Sequence, residues 1–277
     1  MKQLWILCIS LGTITTSWAQ PNCKAFLYYG DTLKCKACEK LEESKAYYQF
    51  SKEFQMIADE AIAMDSTYDY AYQEKSVAYL KSGDFITWKR LIDKAVELNP
   101  EDNLGYRGWC RFQFFRDYKG AIKDIEALSE LVDYDIGPSV NGDYHLNIGR
   151  ALCYKALGDS LKAIAVIEEQ IAAPDYAVGL YDYLHLGVLY WEQQDYDKAI
   201  ESFQKQSERN AIADNFYYLA LVYKNIEDYN SYKEHLEKAK AFYLKERTIF
   251  NPYNAYFDKV YWEDIEQELH IAEQVKQ

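Results

Sequence analysis

Several catalytic signatures are missing from this 277-residue chain. It holds no H-E-x-x-H, no Walker phosphate loop, no G-x-G-x-x-G and no G-x-S-x-G. The common motifs of zinc proteases, nucleotide-binding enzymes and serine hydrolases are therefore absent. Histidine is scarce, with four residues (His145, His185, His235 and His270) scattered along the chain. Asp182 and His185 stand three apart and can share a helix face, but two ligands do not make a metal site. Positive charge is in deficit, with 31 Lys and Arg against 44 Asp and Glu, a net charge of −13. Nucleic-acid phosphates and anionic head groups are not attracted to such a chain. A basic protein partner is compatible with it, although solubility alone also accounts for the charge. After the first residues no apolar run is long enough to span a bilayer. These absences point to a protein that is not an enzyme, carries no cofactor or metal, and binds neither nucleic acid nor a membrane core.

The composition itself is that of a folded chain, with 49% hydrophobic and 27% charged residues. Its N-terminus reads as an export signal. Lys2 supplies the positive start, residues 4–14 a short apolar stretch, and Ser17-Trp18-Ala19 a small-x-small cleavage site before Gln20. Residues 1–19 are thus expected to be removed, which leaves 30 basic against 44 acidic residues and a periplasmic or secreted product. Cys23 follows Gln20-Pro21-Asn22, which lacks the small apolar residues of a lipoprotein signal.

Five cysteines remain after that cleavage: Cys23, Cys35, Cys38, Cys110 and Cys153. Outside the cytosol disulfides persist, so a bridge from Cys23 to Cys35 or Cys38 is expected to tie residues 20–34 onto the first helix. Cys35 and Cys38 also form a C-x-x-C, which elsewhere marks redox or metal chemistry. No second C-x-x-C completes a zinc site, and no thioredoxin-like strand precedes this one. Cys110 and Cys153 read as buried thiols, and the odd total leaves at least one cysteine outside an intramolecular bridge.

One phrase recurs along the chain. Leu186-Gly187, Tyr190, Tyr196, Ala199-Ile200 and Phe203 return as Tyr154, Gly158, Ala163-Ile164 and Ile167, and again as Leu219-Ala220, Tyr223, Tyr229, Leu236 and Ala239. A period near 34 residues with two helical halves marks a solenoid of stacked helix pairs. Gly187 and Ala220 in the first helices, and Ala163 and Ala199 in the second, let the two helices of a pair approach closely.

This pattern resembles the tetratricopeptide repeat family, with starts near residues 35, 69, 102, 144, 180 and 213. The repeat at Leu180 matches with Tyr183, Leu186, Gly187, Tyr190, Tyr196, Ala199 and Phe203. The repeat at Asp69 matches with Tyr72, Tyr79, Phe85, Ile92, Ala95 and Pro100, and has Ser76 at the small position. Three residues break the pattern. Trp88 and Tyr232 replace the small residue of the second helix, and Trp109 replaces that of the first, just after Gly105 and Gly108. A one-residue shift or a wider helix packing would each accommodate Trp109.

The resemblance implies an all-α solenoid of about five to six helix-turn-helix repeats over residues 35–240, after a lead-in at residues 20–34. Residues 241–277 would cap the stack, with a final amphipathic helix from Asp258 to about Val275 carrying Val260, Ile265, Leu269 and Ile271. Residues 135–143, with Gly137-Pro138 and Asn141-Gly142, form an insert of turn signals expected on one edge of the groove.

The resemblance also implies a protein or peptide partner held on the concave face. Transferred residue by residue, that face includes Tyr70, Gln73, Tyr106, Phe114, His145, Lys155, Tyr181, Leu184, Trp191, Tyr217 and Lys224. Aromatic side chains with polar tips are common anchors in recognition, and Trp191 and Tyr181 lead the set. The Lys/Asn clamp for a terminal carboxylate is absent from this face. The expected function is a non-enzymatic scaffold or adaptor of the cell envelope. The alternatives are a redox or metal-dependent protein using Cys35 and Cys38, and a structural protein that self-associates through the ends of its stack.

Overall fold

The computed structural model describes residues 22–251 and 255–274. The expected export signal, residues 1–19, lies outside them. The described residues form helices joined by turns and loops, without a β-strand among them, in two compact units divided after Leu98.

The first unit contains α1 (Ala25–Tyr28), α2 (Thr32–Glu42), α3 (Lys52–Met64), α4 (Asp69–Ser82) and α5 (Phe85–Leu98). Here α2 pairs with α3, α4 pairs with α5, and α3 joins the two pairs. The second unit contains α6 (Pro100–Cys110), α7 (Tyr118–Leu131), α8 (Leu146–Ala156), α9 (Ser160–Ala172), α10 (Asp182–Glu192), α11 (Tyr196–Arg209), α12 (Ala213–Asn225), α13 (Tyr229–Tyr243) and α14 (Trp262–Gln274). Its four helix pairs, from α6–α7 to α12–α13, stack in chain order, and α14 packs on α13.

The turn inside five of the six pairs is built in one way, and the α2–α3 pair differs, with Ser51 capping α3. Gly83, Arg116, Gly158, Gln194 and Glu227 all adopt positive φ, between 52° and 84°. Each is followed by an aspartate, and the carboxylates of Asp84, Asp117, Asp159, Asp195 and Asp228 accept the backbone N–H three residues on. A left-handed residue stops the first helix and an N-cap starts the second. Only two of the five left-handed positions are glycine, so the signal in the sequence is the aspartate.

Close approach follows in the body of each pair. A Cβ placed on Gly187 would lie 2.5 Å from the Phe203 ring, which is wholly buried. The ring fills the space that the missing side chain leaves. Trp109 does not break this rule. Gly108 makes the close contact instead, where a Cβ would meet Ile125 at 3.0 Å. The helix then passes through a π turn, Arg111–Phe115, which inserts one residue. The α6 half is therefore shifted by one position while α7 keeps the register of the other repeats. Trp88 and Tyr232 are both buried. Ser76, at the small position of α4, is fully buried as well, and the Tyr232 hydroxyl donates to Glu268 of α14 at 2.7 Å.

Cys23 is bonded to Cys38, with the Cα atoms 5.4 Å apart. Of the two partners left open by the sequence, Cys38 is the one that takes the bridge. Cys35 is a free, buried thiol, as are Cys110 and Cys153. The bridge closes a loop with a sequence separation of 15 residues, and a loop of that size constrains the unfolded chain by roughly 3 kcal/mol. Cys23→Ser/Cys38→Ser is expected to lower the stability of the first unit by about that amount, read by chemical denaturation. An unchanged midpoint would show the bridge to be dispensable.

The C-terminal region departs from the expectation. The last helix begins at Trp262, not Asp258. Ile265 and Ala272 face inward, and Leu269 packs beside them. Residues 255–261 precede the helix without regular structure except a turn, because their side chains are committed elsewhere.

Candidate binding groove

The first helices of the second unit present a connected row of side chains, and the segment between α13 and α14 lies along it. Asp214, in the first turn of α12 and fully buried, holds the segment at two places. Its carboxylate accepts the backbone N–H of Ile249 at 2.9 Å and of Val260 at 2.7 Å. The N–H of Ala213 donates to the Arg247 carbonyl at 2.7 Å. Residues 256–258 contact side chains of α10, of α8 and of the π turn after α6. We refer to the described residues 247–251 and 255–261 as the strap.

Three consecutive strap residues carry the side-chain contacts. Tyr256 sets its ring 5.0 Å from Tyr144 and 6.0 Å from Tyr181, and its hydroxyl donates to Asp143. Phe257 stacks on Phe112 at 5.9 Å, with Tyr118 against its edge. Asp258, whose side chain is 6% exposed, accepts from Lys155 Nζ at 2.6 Å and from His185 Nδ1 at 2.6 Å. Because a carboxylate only accepts, Nδ1 of His185 carries the proton. In the neutral ring Nε2 then accepts from the buried Tyr144 hydroxyl, at 3.0 Å.

Burial by itself would raise the Asp258 carboxyl. Lys155 and His185 outweigh it and hold the group below the ordinary carboxylate range. For a depressed acid the sign is fixed. Its stabilisation is present above the unfolded value and is lost as pH falls through the folded one. The melting-temperature advantage of the wild type over Asp258→Asn is expected to persist at neutral pH and to shrink below about pH 4. The paired comparison removes Asp214, whose carboxyl is pushed the opposite way by burial. A constant difference across the acid range would show that Asp258 is not docked as an anion.

The eleven expected groove residues separate into distinct environments. Tyr181 and Lys155 meet the strap directly. Trp191 is partly exposed, lies 5.7 Å from Tyr218 and donates to Asn225. Lys224 pairs with Glu268 of α14 at 2.7 Å, and Tyr217 packs beside the same helix. His145 is buried. Its Nε2 faces Asp135 of the insert at 2.8 Å, and burial depresses its basicity. Leu184 is a correction to the expectation. It has no exposed surface, belongs to the core, and gives its N–H to Gln206. Phe114 is partly exposed beside Trp109, and Tyr106 is hydrogen-bonded to the Cys110 thiol. In the first unit, Tyr70 and Gln73 are half-buried on α4.

The residues that the sequence reading missed are Tyr144, His185, Asp214 and the strap triplet itself. Asp214 stands at the second position of its repeat, one of the concave positions, so that signal was present. His185 and Asp258 are 73 residues apart, and no local pattern joins them. The insert at residues 135–143 lines one wall of a cleft of about 490 Å³, and Tyr181, Phe250 and Tyr256 line it as well. Asp143 secures that wall by accepting from Trp109 Nε1 and from Ser139.

Comparison with known proteins agrees with this geometry. The tetratricopeptide repeat family model matches residues 70–102 and 183–211, which are the α4–α5 and α10–α11 pairs. No curated protein matches the chain in sequence. PilF of Pseudomonas aeruginosa superposes with a TM-score of 0.58 at 13% identity, covering 75% of this chain and 92% of that one. PilW, described as a widely conserved type IV pilus biogenesis factor, gives 0.57 at 13% identity, covering 76% and 94%. YrrB, described as a repeat protein of this kind with an unusual peptide-binding site, gives 0.54 at 18% identity, covering 67% and 91%. At these identities the likeness is one of fold. The matched stretches and the fold likeness agree that this is an all-α repeat protein in which two helix pairs resemble tetratricopeptide repeats.

Proposed function

We propose that the chain is an exported, non-enzymatic scaffold of the cell envelope that binds a segment of another protein on the first-helix face of its repeats. One observation carries this reading. Strap residues already lie on that face, gripped by aromatic rings, the largely buried Lys155 ammonium and the buried Asp214 carboxylate. The same surface chemistry suits a segment supplied by a partner. YrrB, with its described peptide-binding site, offers a parallel use of the fold.

The alternative through Cys35 and Cys38 is less well supported. Cys38 is bonded to Cys23, and burial together with Glu39 raises the Cys35 thiol, which lowers its thiolate fraction and reactivity. The envelope location rests on the N-terminal signal pattern, and an oxidised Cys23–Cys38 pair is consistent with it.

The test is capture in cell envelopes. Protein starting at Gln20 is crosslinked, its partners are identified by mass spectrometry, and Tyr181→Ala/Trp191→Ala is run in parallel. The expected result is a partner lost in the double variant, with exported protein whose mass begins at Gln20. A partner retained equally would move the interface off this face. An uncleaved, cytoplasmic product would overturn the location.

A further inference from the structure

We propose that the strap is a displaceable occupant of the groove. The partner that displaces it presents an extended segment with two adjacent aromatic residues followed by an aspartate or glutamate. This inference rests on the groove reading above and names the chemistry of its ligand.

The receptor groups belong to the repeats, not to the strap. Tyr144, Lys155 and His185 stand on or beside α8 and α10, and Phe112 lies at the end of α6. Together they form a carboxylate hole flanked by aromatic walls. Lys155 is 11% exposed, and without Asp258 its remaining carboxylate is Glu192 at 3.1 Å. A poorly solvated ammonium next to a histidine demands an anion, in a chain whose overall charge is strongly negative. The aromatic walls fix where that anion must stand relative to two rings, which sets the order aromatic, aromatic, acid.

The hold on the strap is of a kind that can be exchanged. Its grip includes the triplet Tyr256-Phe257-Asp258, the Arg247 carbonyl contact, the two N–H groups taken by Asp214, the Phe250 backbone bonded to Tyr181, and the buried side chains of Ile249 and Val260. A foreign extended segment can offer the same rings, carboxylate and backbone N–H groups, together with apolar side chains in place of the buried Ile249 and Val260. Phe250 is 71% exposed and borders the open cleft, so an incoming chain has a place to begin. Tethering gives the strap an effective concentration in the millimolar range, so a segment in trans competes against a preformed occupant and its apparent affinity is reduced by the closed fraction.

The probe is a fluorescein-labelled peptide of residues 247–261. The hosts are the full chain from Gln20 with its disulfide intact, and the same chain carrying Tyr256→Ala/Phe257→Ala/Asp258→Ala. Circular dichroism establishes that both are folded. The peptide is expected to bind the triple variant about tenfold or more tighter than the wild type, and to lose that affinity when its own aspartate is asparagine. A second measurement needs no altered host. Excess unlabelled peptide is expected to speed amide exchange at Ile249 and Val260 of the wild type, because their acceptor in Asp214 is contested.

The other outcomes separate the two readings. A folded triple variant that captures an envelope partner but ignores the peptide overturns the aromatic–aromatic–acid chemistry and leaves the groove reading standing. A folded triple variant that binds neither, with exchange at Ile249 and Val260 unmoved in the wild type, makes the strap a permanent part of the core and overturns both. A dimer that forms by trading straps between copies, seen by light scattering, overturns a foreign partner in favour of a second copy of this chain.

Discussion

Phe203→Ala is expected to destabilise the second unit by about 3–5 kcal/mol, the usual cost of emptying a buried aromatic site. The ring is wholly buried, and it occupies the space that Gly187 leaves by having no side chain. Helix α10 cannot move in to fill the void, because its other side packs on α8 and α12. For a chain of this size each kcal/mol lowers the melting temperature by roughly 2–4 °C, so thermal denaturation reads the effect directly. Gly187→Ala tests the same contact from the other side, because a Cβ would stand 2.5 Å from the ring and overpacking costs about 1–3 kcal/mol. If both variants melt with the wild type, this close approach does not hold the pair together.

Asp214→Ala is expected to release the strap. The carboxylate accepts from two buried N–H groups that belong to opposite ends of that segment. Each orphaned buried donor costs about 1–3 kcal/mol, so the variant loses roughly 2–6 kcal/mol of docking free energy. The loss should be local. Amides of Ile249 and Val260 are expected to exchange quickly while those of α11 around the buried Phe203 remain protected. Uniform protection would show that Tyr256, Phe257 and Asp258 hold the strap unaided. Uniform loss would show that the strap supports the whole unit.

The two predictions concern features of unequal legibility. The helix pairs were open to inspection because each repeat writes its packing rule again: Gly187 against Phe203, and Ala199 and Ala220 at the small positions. Even the apparent exception at Trp109 follows the rule once the π turn at Arg111–Phe115 adds its residue. An aspartate precedes five of the six second helices, at Asp84, Asp117, Asp159, Asp195 and Asp228, while Ser51 caps the other.

The strap was not legible, for a physical reason. Residues 255–261 have apolar and charged side chains at intervals that suit a helix, and propensity alone extends α14 back to Asp258. What prevents it is tertiary. Phe257 gains more against Phe112, and Asp258 against Lys155 and His185, than either would on a solvated helical turn. No local pattern encodes a partner 103 residues away in sequence.

The sequence by itself therefore determined the repeats, their helix pairs, the close contacts inside them and the aromatic character of one face, since all of these arise from residues within one period of each other. Only the tertiary structure decided that Cys38 takes Cys23, that Leu184 is core, and that the chain's own Tyr256, Phe257 and Asp258 lie on the face. Those outcomes depend on which distant groups can be desolvated together with their charges paired, and that is settled when the helices stack.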